Sequence, residues 1–342
     1  MKVGSLFTGY GGLDIAVGGD LAWYAEIEPA ACQVLAHHYP NVPNLGDITK
    51  IDWSEVEPVD VITGGYPCQP FSHAGNRKGK NDVRHLWPNV LDAIRAIRPR
   101  YAILENVSGH ITLGFADVLA DLAAIGWSCE WGTFRASDVG APHRRERIFI
   151  IAYTTRGIGG EGQGRDYQES ERSTGLATHV GSPAADTSSD GHGIELHAGA
   201  MAGVEGQTTR SPQQRQRSRR EFDARGVDDA ADTAVTIGRK STLQGTQQEQ
   251  SGGCGGIVWG KYAPAIARWE TVLDRPAPSP TVAGTDKRRL NPQFVEWMMG
   301  LPDGWVTGHG LSAAKELKML GNGVAPQQAH AAITQLLERT QP

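Results

Sequence analysis

The chain has 342 residues, a formal net charge of −5 and four cysteines, with no Cys-x-x-Cys pair among them. This length allows one large domain or two of ordinary size, and the scattered cysteines argue against a disulfide framework and a zinc site. No apolar segment approaches the length of a membrane span, and no signal-peptide pattern precedes the first strand-like segment. We therefore expect a reduced cytoplasmic protein without a metal, in which any nucleic-acid surface is one basic face of an acidic molecule.

Strand and helix signals alternate along the first 154 residues at the spacing of βα units. The segments with strand character are 2–7, 21–27, 59–63, 101–105, 127–134 and 147–153. The segments with helical character begin near Gly12 and continue at 29–38, 88–97 and 115–125. This alternation predicts an α/β fold with a doubly wound, Rossmann-like sheet.

The composition changes at residue 155. Gly, Ser, Thr, Gln, Arg and Asp dominate 155–256, which has too few large apolar residues to fold compactly, so we predict that most of it is loosely folded. Order signals return at Ile257, with a strand-like, proline-rich piece at 275–282 and helices at 292–299 and 327–337. We therefore divide the chain into a main domain (1–154), a smaller irregular region (155–300) and a C-terminal segment that returns to the main domain (301–342).

A cysteine follows the third predicted strand, in the segment Gly64–Ser72. Reactive groups gather at the carboxyl ends of strands in α/β proteins, so Cys68 is placed to act as a nucleophile. The alternative is a buried cysteine that behaves as a small hydrophobic side chain.

A glycine-rich turn, Phe7–Gly12, follows the first strand and opens a helix, which lets the backbone approach a ligand closely. Glu26 ends the second strand, where a carboxylate can accept both hydroxyls of a ribose. Asp47 could accept the amino group of an adenine, and Ile48 could pack on the base. Each acid could equally be a solvated loop residue or a helix cap.

Glu105 ends the fourth strand, so we expect it beside Cys68 at the same edge of the sheet. A carboxyl partly buried there would have a raised pKa and could donate a proton, although a structural ion pair is equally open. Arg145 and Arg147 occupy alternate positions at the start of another strand, which would point them to the same side. Such a pair suits an oxyanion, a carbonyl or phosphates, or is simply an exposed basic strand end.

These motifs, in this order, resemble those of the DNA (cytosine-5) methyltransferases over about residues 1–154 and 271–337. Phe7–Gly12 is similar to the family's S-adenosylmethionine loop, Pro67–Gln69 to its nucleophile motif and Glu105–Val107 to its acid motif. Arg275–Thr281 resembles the motif that follows target recognition, and Gly321–Pro326 the closing cofactor motif.

The resemblance implies a methyltransferase sheet that binds S-adenosylmethionine, with target recognition assigned to the irregular region. The catalytic residues that it implies are Cys68, Gln69, Glu105, Arg145 and Arg147. The cofactor-binding residues that it implies are Phe7, Thr8, Gly9, Gly11, Gly12, Glu26, Ile27, Asp47, Ile48, Pro67, Asn322 and Val324.

Three features depart from the family pattern. His143 stands where the family often has glutamine, which is expected to alter packing more than chemistry. Ile27 replaces a residue that is often aromatic, so stacking on an adenine would be weaker there. The segment 155–270, which corresponds to target recognition, is unusually polar.

The resemblance implies methyl transfer to C5 of a flipped-out cytosine at a specific double-stranded DNA site, through a covalent adduct between Cys68 and C6. The loop 75–84 is expected to close over the base, and the basic cluster 210–220 either contacts phosphates or belongs to a solvated linker. Expected partners are double-stranded DNA and a cognate restriction endonuclease, for a monomeric bacterial or phage protein without membrane contact. The alternatives are an RNA-directed cytosine-5 methyltransferase, a catalytically silent DNA-binding homologue and a nicotinamide oxidoreductase.

Overall fold

The computed structural model describes residues 1–67, 86–112, 114–154, 257–282 and 289–340, all of which belong to one structural unit. Several predictions fall outside these described residues. They concern Cys68, Gln69, the loop 75–84, the polar stretch 155–256 and the basic cluster 210–220.

A six-stranded sheet has the strand order β2-β1-β3-β4-β6-β5. Strands β1 to β4 run parallel, whereas β6 is antiparallel to both of its neighbours, β4 and β5. The strands are β1 Lys2–Leu6, β2 Asp20–Ala25, β3 Val61–Gly64, β4 Tyr101–Val107, β5 Trp127–Arg135 and β6 Glu146–Thr154. The predicted doubly wound α/β sheet is confirmed.

Helices cover both faces of this sheet because its central strands carry apolar side chains in both directions. On one face, α3 (Trp87–Ile97) and α4 (Phe115–Ala124) pack against alternate apolar residues of β1, β3, β4 and β6. On the other face, α1 (Gly12–Val17) packs beside the chain's last helix, Pro326–Thr340. Helix α2 (Pro29–His38) has the predicted bounds, with its proline in the first turn, where the missing N–H costs nothing.

The C-terminal part of the chain returns to the N-terminal part. It contains α5 (Ala263–Leu273), β7 (Thr281–Val282), β8 (Arg289–Leu290), α6 (Pro292–Met298), α7 (Ala313–Asn322) and α8 (Pro326–Thr340). Three aromatic side chains of α5 and α6, Trp269, Phe294 and Trp297, share a core with Tyr10 and Val34. Residues far apart in the chain therefore build this second core together.

The proline-rich piece 275–282 was predicted to be strand-like, and this prediction is wrong for most of its length. Only Thr281 and Val282 pair, with β8. Pro276, Pro278 and Pro280 have no backbone N–H, so this stretch cannot form a continuous ladder of hydrogen bonds. The division of the chain into domains stays a prediction, because 155–256 lies outside the described residues.

The parallel strands place a topological switch point at the carboxyl ends of β1 and β3. The chain passes from β1 to β2 on one side, whereas β3 and β4 lie on the other side. Ligands of open α/β sheets bind in the crevice at such a point. Across the described ranges, no helix has the length and apolar character needed to cross a bilayer.

Candidate active site

A cavity of about 570 Å³ lies at the carboxyl ends of β1, β3 and β4. Its volume is within the usual range for small-molecule sites, about 300–1,000 Å³. Its walls are formed by Ser5–Gly9, Gly12–Asp14, Glu26, Glu28, Ala30, Ala31, Thr63–Gly65, Pro67, Glu105, Ala314, Lys315, Lys318, Met319 and Asn322–Val324. Both ends of the chain therefore contribute to one site.

The glycine-rich loop and the closing motif touch each other at the cavity wall. A Cβ atom on Gly12 would lie 2.2 Å from the carbonyl oxygen of Val324, so only glycine fits there. The Tyr10 hydroxyl donates to the same oxygen at 2.8 Å. Gly9, with φ 58°, has open space where a side chain would stand, which leaves its backbone accessible to a ligand.

The Glu26 carboxylate is held in a fixed orientation by backbone N–H groups. Its Oε2 accepts from Gly9 at 2.8 Å, and its Oε1 accepts from Ile27 at 2.8 Å and Glu28 at 2.7 Å. Because Oε1 already has two donors, the remaining acceptor capacity lies mainly on Oε2. Glu26 lines the cavity, as expected of an acid that binds a ribose.

Four of the predicted cofactor residues, Gly11, Ile27, Asp47 and Ile48, do not line this cavity. Ile27 is 67% exposed beside it. Asp47 caps a 3₁₀ turn and accepts from the Thr49 hydroxyl at 2.8 Å, which lowers the pKa of Asp47. Ile48 is buried in the core beneath α3. The described geometry thus gives Asp47 the capping role that the sequence left open, and adenine contacts by these residues stay a prediction.

Glu105 and Arg147 form a nearly buried ion pair at the end of β4. Arg147 Nε lies 3.1 Å from Glu105 Oε1. Burial raises the pKa of the Glu105 carboxyl, and Arg147 and Arg145 offset part of that rise. The carboxyl lines the cavity and lies against Gly65, where a Cβ atom would be 3.5 Å from Glu105 Oε2. Glu105 therefore retains a proton more readily than an exposed glutamate does.

The segment that leads to Cys68 is fixed over the end of β4. Asn106 Nδ2 donates to the Tyr66 carbonyl at 2.9 Å, and the buried Tyr66 hydroxyl lies 2.8 Å from His110 Nε2. Pro67 lines the cavity, and Cys68 is the next residue in the chain.

Arg145 does not share a strand with Arg147, which corrects the sequence prediction. Strand β6 begins after it, and Arg145 has φ 36°, so the alternation of side chains along a strand does not apply to it. Its buried guanidinium donates to the carbonyls of Gly321, at 3.0 Å, and Gly323. Arg145 therefore holds the closing motif against the cavity.

We expect Arg145→Lys to lower the free energy of unfolding by about 1–3 kcal/mol, because an ammonium cannot reproduce the guanidinium fork and leaves a buried carbonyl without its donor. Denaturant unfolding should show the loss, and affinity for S-adenosylmethionine should fall with it. Arg144→Lys is the matched control, since Arg144 is exposed and should change stability by less than about 0.5 kcal/mol. Equal effects of the two variants would contradict the anchoring role.

His143, the first departure from the family pattern, is buried, and its Nε2 lies 2.9 Å from the Met298 carbonyl oxygen. Its contact is thus with the C-terminal core. Sequence reasoning did not assign Asp14, Thr63 or the α7 lysines to the site, although all of them line the cavity. An acid two positions after the glycine pair, in a helix with few polar residues, was the available signal for Asp14.

The family model for C-5 cytosine-specific DNA methylase matches residues 1–338. The chain belongs to this family. It is 38% identical over 138 residues to the type II methyltransferase M.NlaIV of Neisseria lactamica, covering 37% of this chain and 33% of that protein. It is 35% identical over 147 residues to M.NgoBV of Neisseria gonorrhoeae, covering 40% and 35% respectively. The chain thus spans about a third of the length of these curated relatives.

The solved structures agree on the fold of this methylase chain. The Dnmt2 methyltransferase of S. pombe superposes with a TM-score of 0.56 and 16% identity, covering 100% of both chains. The predicted resemblance to the cytosine-5 methyltransferases and the predicted fold are both confirmed.

C5 DNA methyltransferases use S-adenosylmethionine as their methyl donor, so this is the cofactor of the chain. The cavity of the chain fits this cofactor. Glu26 presents a fixed acceptor for ribose hydroxyls, Gly9 leaves backbone open, and Gly12 allows the closing motif to complete the wall. Of the predicted cofactor residues, those that line the cavity are Phe7, Thr8, Gly9, Gly12, Glu26, Pro67, Asn322 and Val324.

Proposed function

We propose that this chain is a DNA (cytosine-5-)-methyltransferase that methylates a cytosine within a specific double-stranded DNA site. One observation carries the proposal. The Glu105 carboxyl of the nearly buried Glu105–Arg147 pair lies against Gly65 on the wall of the cofactor cavity. Gly65 belongs to the segment that continues into Cys68. A carboxyl with a raised pKa and a cation next to the segment with the predicted nucleophile support the proposal.

C5 of cytosine is too weak a nucleophile to take a methyl group unaided. In the proposed reaction, the Cys68 thiolate forms a bond to C6 while Glu105 donates a proton to N3, which makes C5 electron-rich. S-adenosylmethionine bound in the cavity would supply the electrophilic methyl group to C5 and would leave as S-adenosylhomocysteine. Loss of the C5 proton to a base restores the C5–C6 double bond and expels the thiolate, and Glu105 recovers the proton from N3.

Arg147 has two tasks in this scheme. It orients the Glu105 carboxyl through the 3.1 Å contact, and its guanidinium binds the O2 atom of the base, where negative charge develops. The reacting atoms are inaccessible inside a duplex, so the cytosine must leave the base stack. Raising the pKa of Glu105 by burial suits the same step, because the donor must hold a proton before the base arrives.

The test is base-resolution mapping of 5-methylcytosine in DNA from a methylase-free bacterial host that expresses the chain, with the same host carrying an empty vector as control. Methylation at one short motif is the expected result. RNA from the same cells is mapped in parallel, since methylation of RNA alone would favour an RNA-directed enzyme. Methylation of neither would favour a silent DNA-binding homologue and would overturn the proposal.

A basic cleft at the carboxyl end of β5 supports a nucleic-acid substrate. It is open, has a volume of about 450 Å³ and is lined by Arg135, Arg144 and Arg268. Glu146 accepts from Arg135 at 2.7 Å and from Arg144 at 3.0 Å, so these two guanidinium groups share one carboxylate. Arg268 donates to the Gly140 carbonyl instead. The excess positive charge of this cleft is close to Arg147 in the chain. It lies at the same end of the sheet as Glu105, because β4 and β5 both pair with β6.

We therefore expect Arg268→Gln to reduce the slope of log K against log salt for duplex binding by about 1, the value for one lost phosphate contact. Fluorescence anisotropy across a salt series measures the slope. Arg95→Gln is the matched control, because Arg95 is exposed near the end of α3, at the opposite edge of the sheet. An unchanged slope in Arg268→Gln would remove this cleft from the DNA interface.

The proposal also includes a cognate restriction endonuclease as partner, a monomeric state, a cytoplasmic location and target recognition by the region 155–300. The names of the type II relatives support the restriction endonuclease as partner.

A further inference from the structure

A buried carboxylate, Asp14, forms part of the cavity floor. It lies in the first turn of α1, is 8% exposed and lines the cavity between the helix and strands β1 and β3. The Ser5 hydroxyl donates to its Oδ2 at 2.8 Å, and the Thr63 hydroxyl donates to its Oδ1 at 2.5 Å. Two neighbouring strands thus hold this carboxylate in place.

No basic side chain neutralises this carboxylate within the described ranges. The ion pairs found there do not include Asp14, and its neighbours are two hydroxyls and its own backbone N–H. The lysines that line the cavity are on α7, and one of them, Lys318, pairs with Glu28 instead, at 3.3 Å. Burial raises the pKa of the Asp14 carboxyl because it disfavours the charged form, and a bound cation would stabilise that charged form. Such a group in the wall of a ligand cavity is suited to bind a cation.

Two other acids on the cavity wall, Glu26 and Glu105, are already assigned to other groups. The part of the cavity beside Asp14 is therefore available to the amino-acid portion of the cofactor. Glu26 follows β2 and takes the ribose, and Glu105 lies near the carboxyl end of β4, next to the segment where the methyl group must be delivered. Asp14 lies between these two positions, against β1 and β3. The amino-acid portion carries an α-ammonium group, a cation with three N–H donors.

We propose that the Asp14 carboxylate binds the α-ammonium group of S-adenosylmethionine. The inference rests on the proposed function, because it takes S-adenosylmethionine as the ligand of this cavity. Asp14 is thus a cofactor-binding residue that holds the amino-acid portion while Glu26 holds the ribose. Ser5 and Thr63 are positioning residues, since they act through the orientation of the carboxylate.

Three ligands distinguish binding of the α-ammonium group from other roles of Asp14. S-adenosylmethionine and S-adenosylhomocysteine both carry the α-ammonium group, but only the first has a cationic sulfur. 5′-Methylthioadenosine retains the nucleoside and lacks the whole amino-acid portion. A contact to the ammonium therefore affects the first two ligands equally and does not affect the third.

The experiment is isothermal titration of the full chain, wild type and Asp14→Asn, with these three ligands. Asp14→Asn should weaken S-adenosylmethionine and S-adenosylhomocysteine alike by about 10- to 100-fold, as expected for loss of a charged hydrogen bond, and change 5′-methylthioadenosine by less than about twofold. Asp92→Asn, which removes an exposed carboxylate on α3 that does not line the cavity, is the matched control and should leave all three affinities nearly unchanged.

Each other outcome overturns the inference. Equal weakening of all three ligands would make Asp14 a purely structural residue, and weakening of S-adenosylmethionine alone would assign the charge to the sulfonium. If Asp14→Asn does not fold, wild-type protein is titrated with the deaminated analogue of S-adenosylhomocysteine, which should bind about 10- to 100-fold more weakly than S-adenosylhomocysteine itself. Equal affinity there would overturn the inference. Wild-type protein that binds none of the ligands would instead contradict the proposed function.

Discussion

Cys68→Ala is expected to abolish methyl transfer while leaving the affinity for S-adenosylmethionine within about twofold of wild type. Without a thiolate, no bond forms to C6 and C5 does not become nucleophilic, so the remaining groups have no activated base to act on. The cofactor site is retained because Glu26 and the Tyr66 carbonyl, which precedes Pro67, are held by contacts that do not involve Cys68. Transfer of labelled methyl groups to DNA and calorimetric titration of the cofactor measure the two quantities.

Two controls sharpen this prediction. Cys129→Ala alters a half-buried cysteine on β5 whose pKa burial raises to about 12, so it should retain activity. A DNA substrate containing 5-fluorocytosine should form a stable adduct with wild type and none with Cys68→Ala, since the fluorine cannot leave as a proton does. Methylation by Cys68→Ala at a rate comparable with wild type would exclude covalent catalysis by this residue.

Glu105→Gln is expected to slow methyl transfer by about 10²–10⁴-fold, the usual contribution of a positioned general acid. The amide keeps the shape of the side chain but cannot give a proton to N3. Single-turnover rates with saturating DNA and cofactor isolate this step. The affinity for cofactor should be nearly unchanged, because the ribose acceptor is Glu26.

The pH dependence of the same step has a defined sign. Burial raises the pKa of Glu105 above its usual range, and the reactive form is the protonated one. The contribution of Glu105 is therefore complete at pH values below its pKa in the enzyme and is lost as the pH rises through it, which gives a descending alkaline limb. Glu105→Gln should lack that limb, whereas Glu105→Asp should keep a shifted one at a lower rate. An identical profile in all three proteins would remove Glu105 from the proton-transfer step.

Local sequence signals were sufficient for much of the fold. The bounds of α2 were predicted because Pro29 marks its first turn, and the strands of the sheet were predicted because their apolar runs are short and separated by glycine or proline. Helices α5 and α7 were not predicted. The apolar residues of α7 are few, although they share one face, and Met319 and Leu320 on that face belong to a core shared with α2 and α6.

The candidate site likewise has residues that could be assigned from sequence and one that could not. The glycine-rich loop, Glu26 and Glu105 could be assigned from sequence because each lies at or just beyond the carboxyl end of a strand, and the carboxyl ends of parallel strands meet at one end of the sheet. The role of Arg145 could not be assigned from sequence. Its backbone is left-handed, so the residue does not belong to the strand, and its partners, Gly321 and Gly323, are far along the chain.

Short motifs and their order along the chain were therefore sufficient to predict the α/β class, the family resemblance and the residues that carry the proposed chemistry. Which of these groups share the cavity depended on three-dimensional packing. It brought Val324 against the glycine-rich loop, placed α7 on the wall of the same cavity, paired Arg147 with Glu105, and buried Asp14 between two strands where no described side chain supplies a countercharge. These relations depend on long-range packing and burial, which fix distances and pKa values that no local pattern of residues contains.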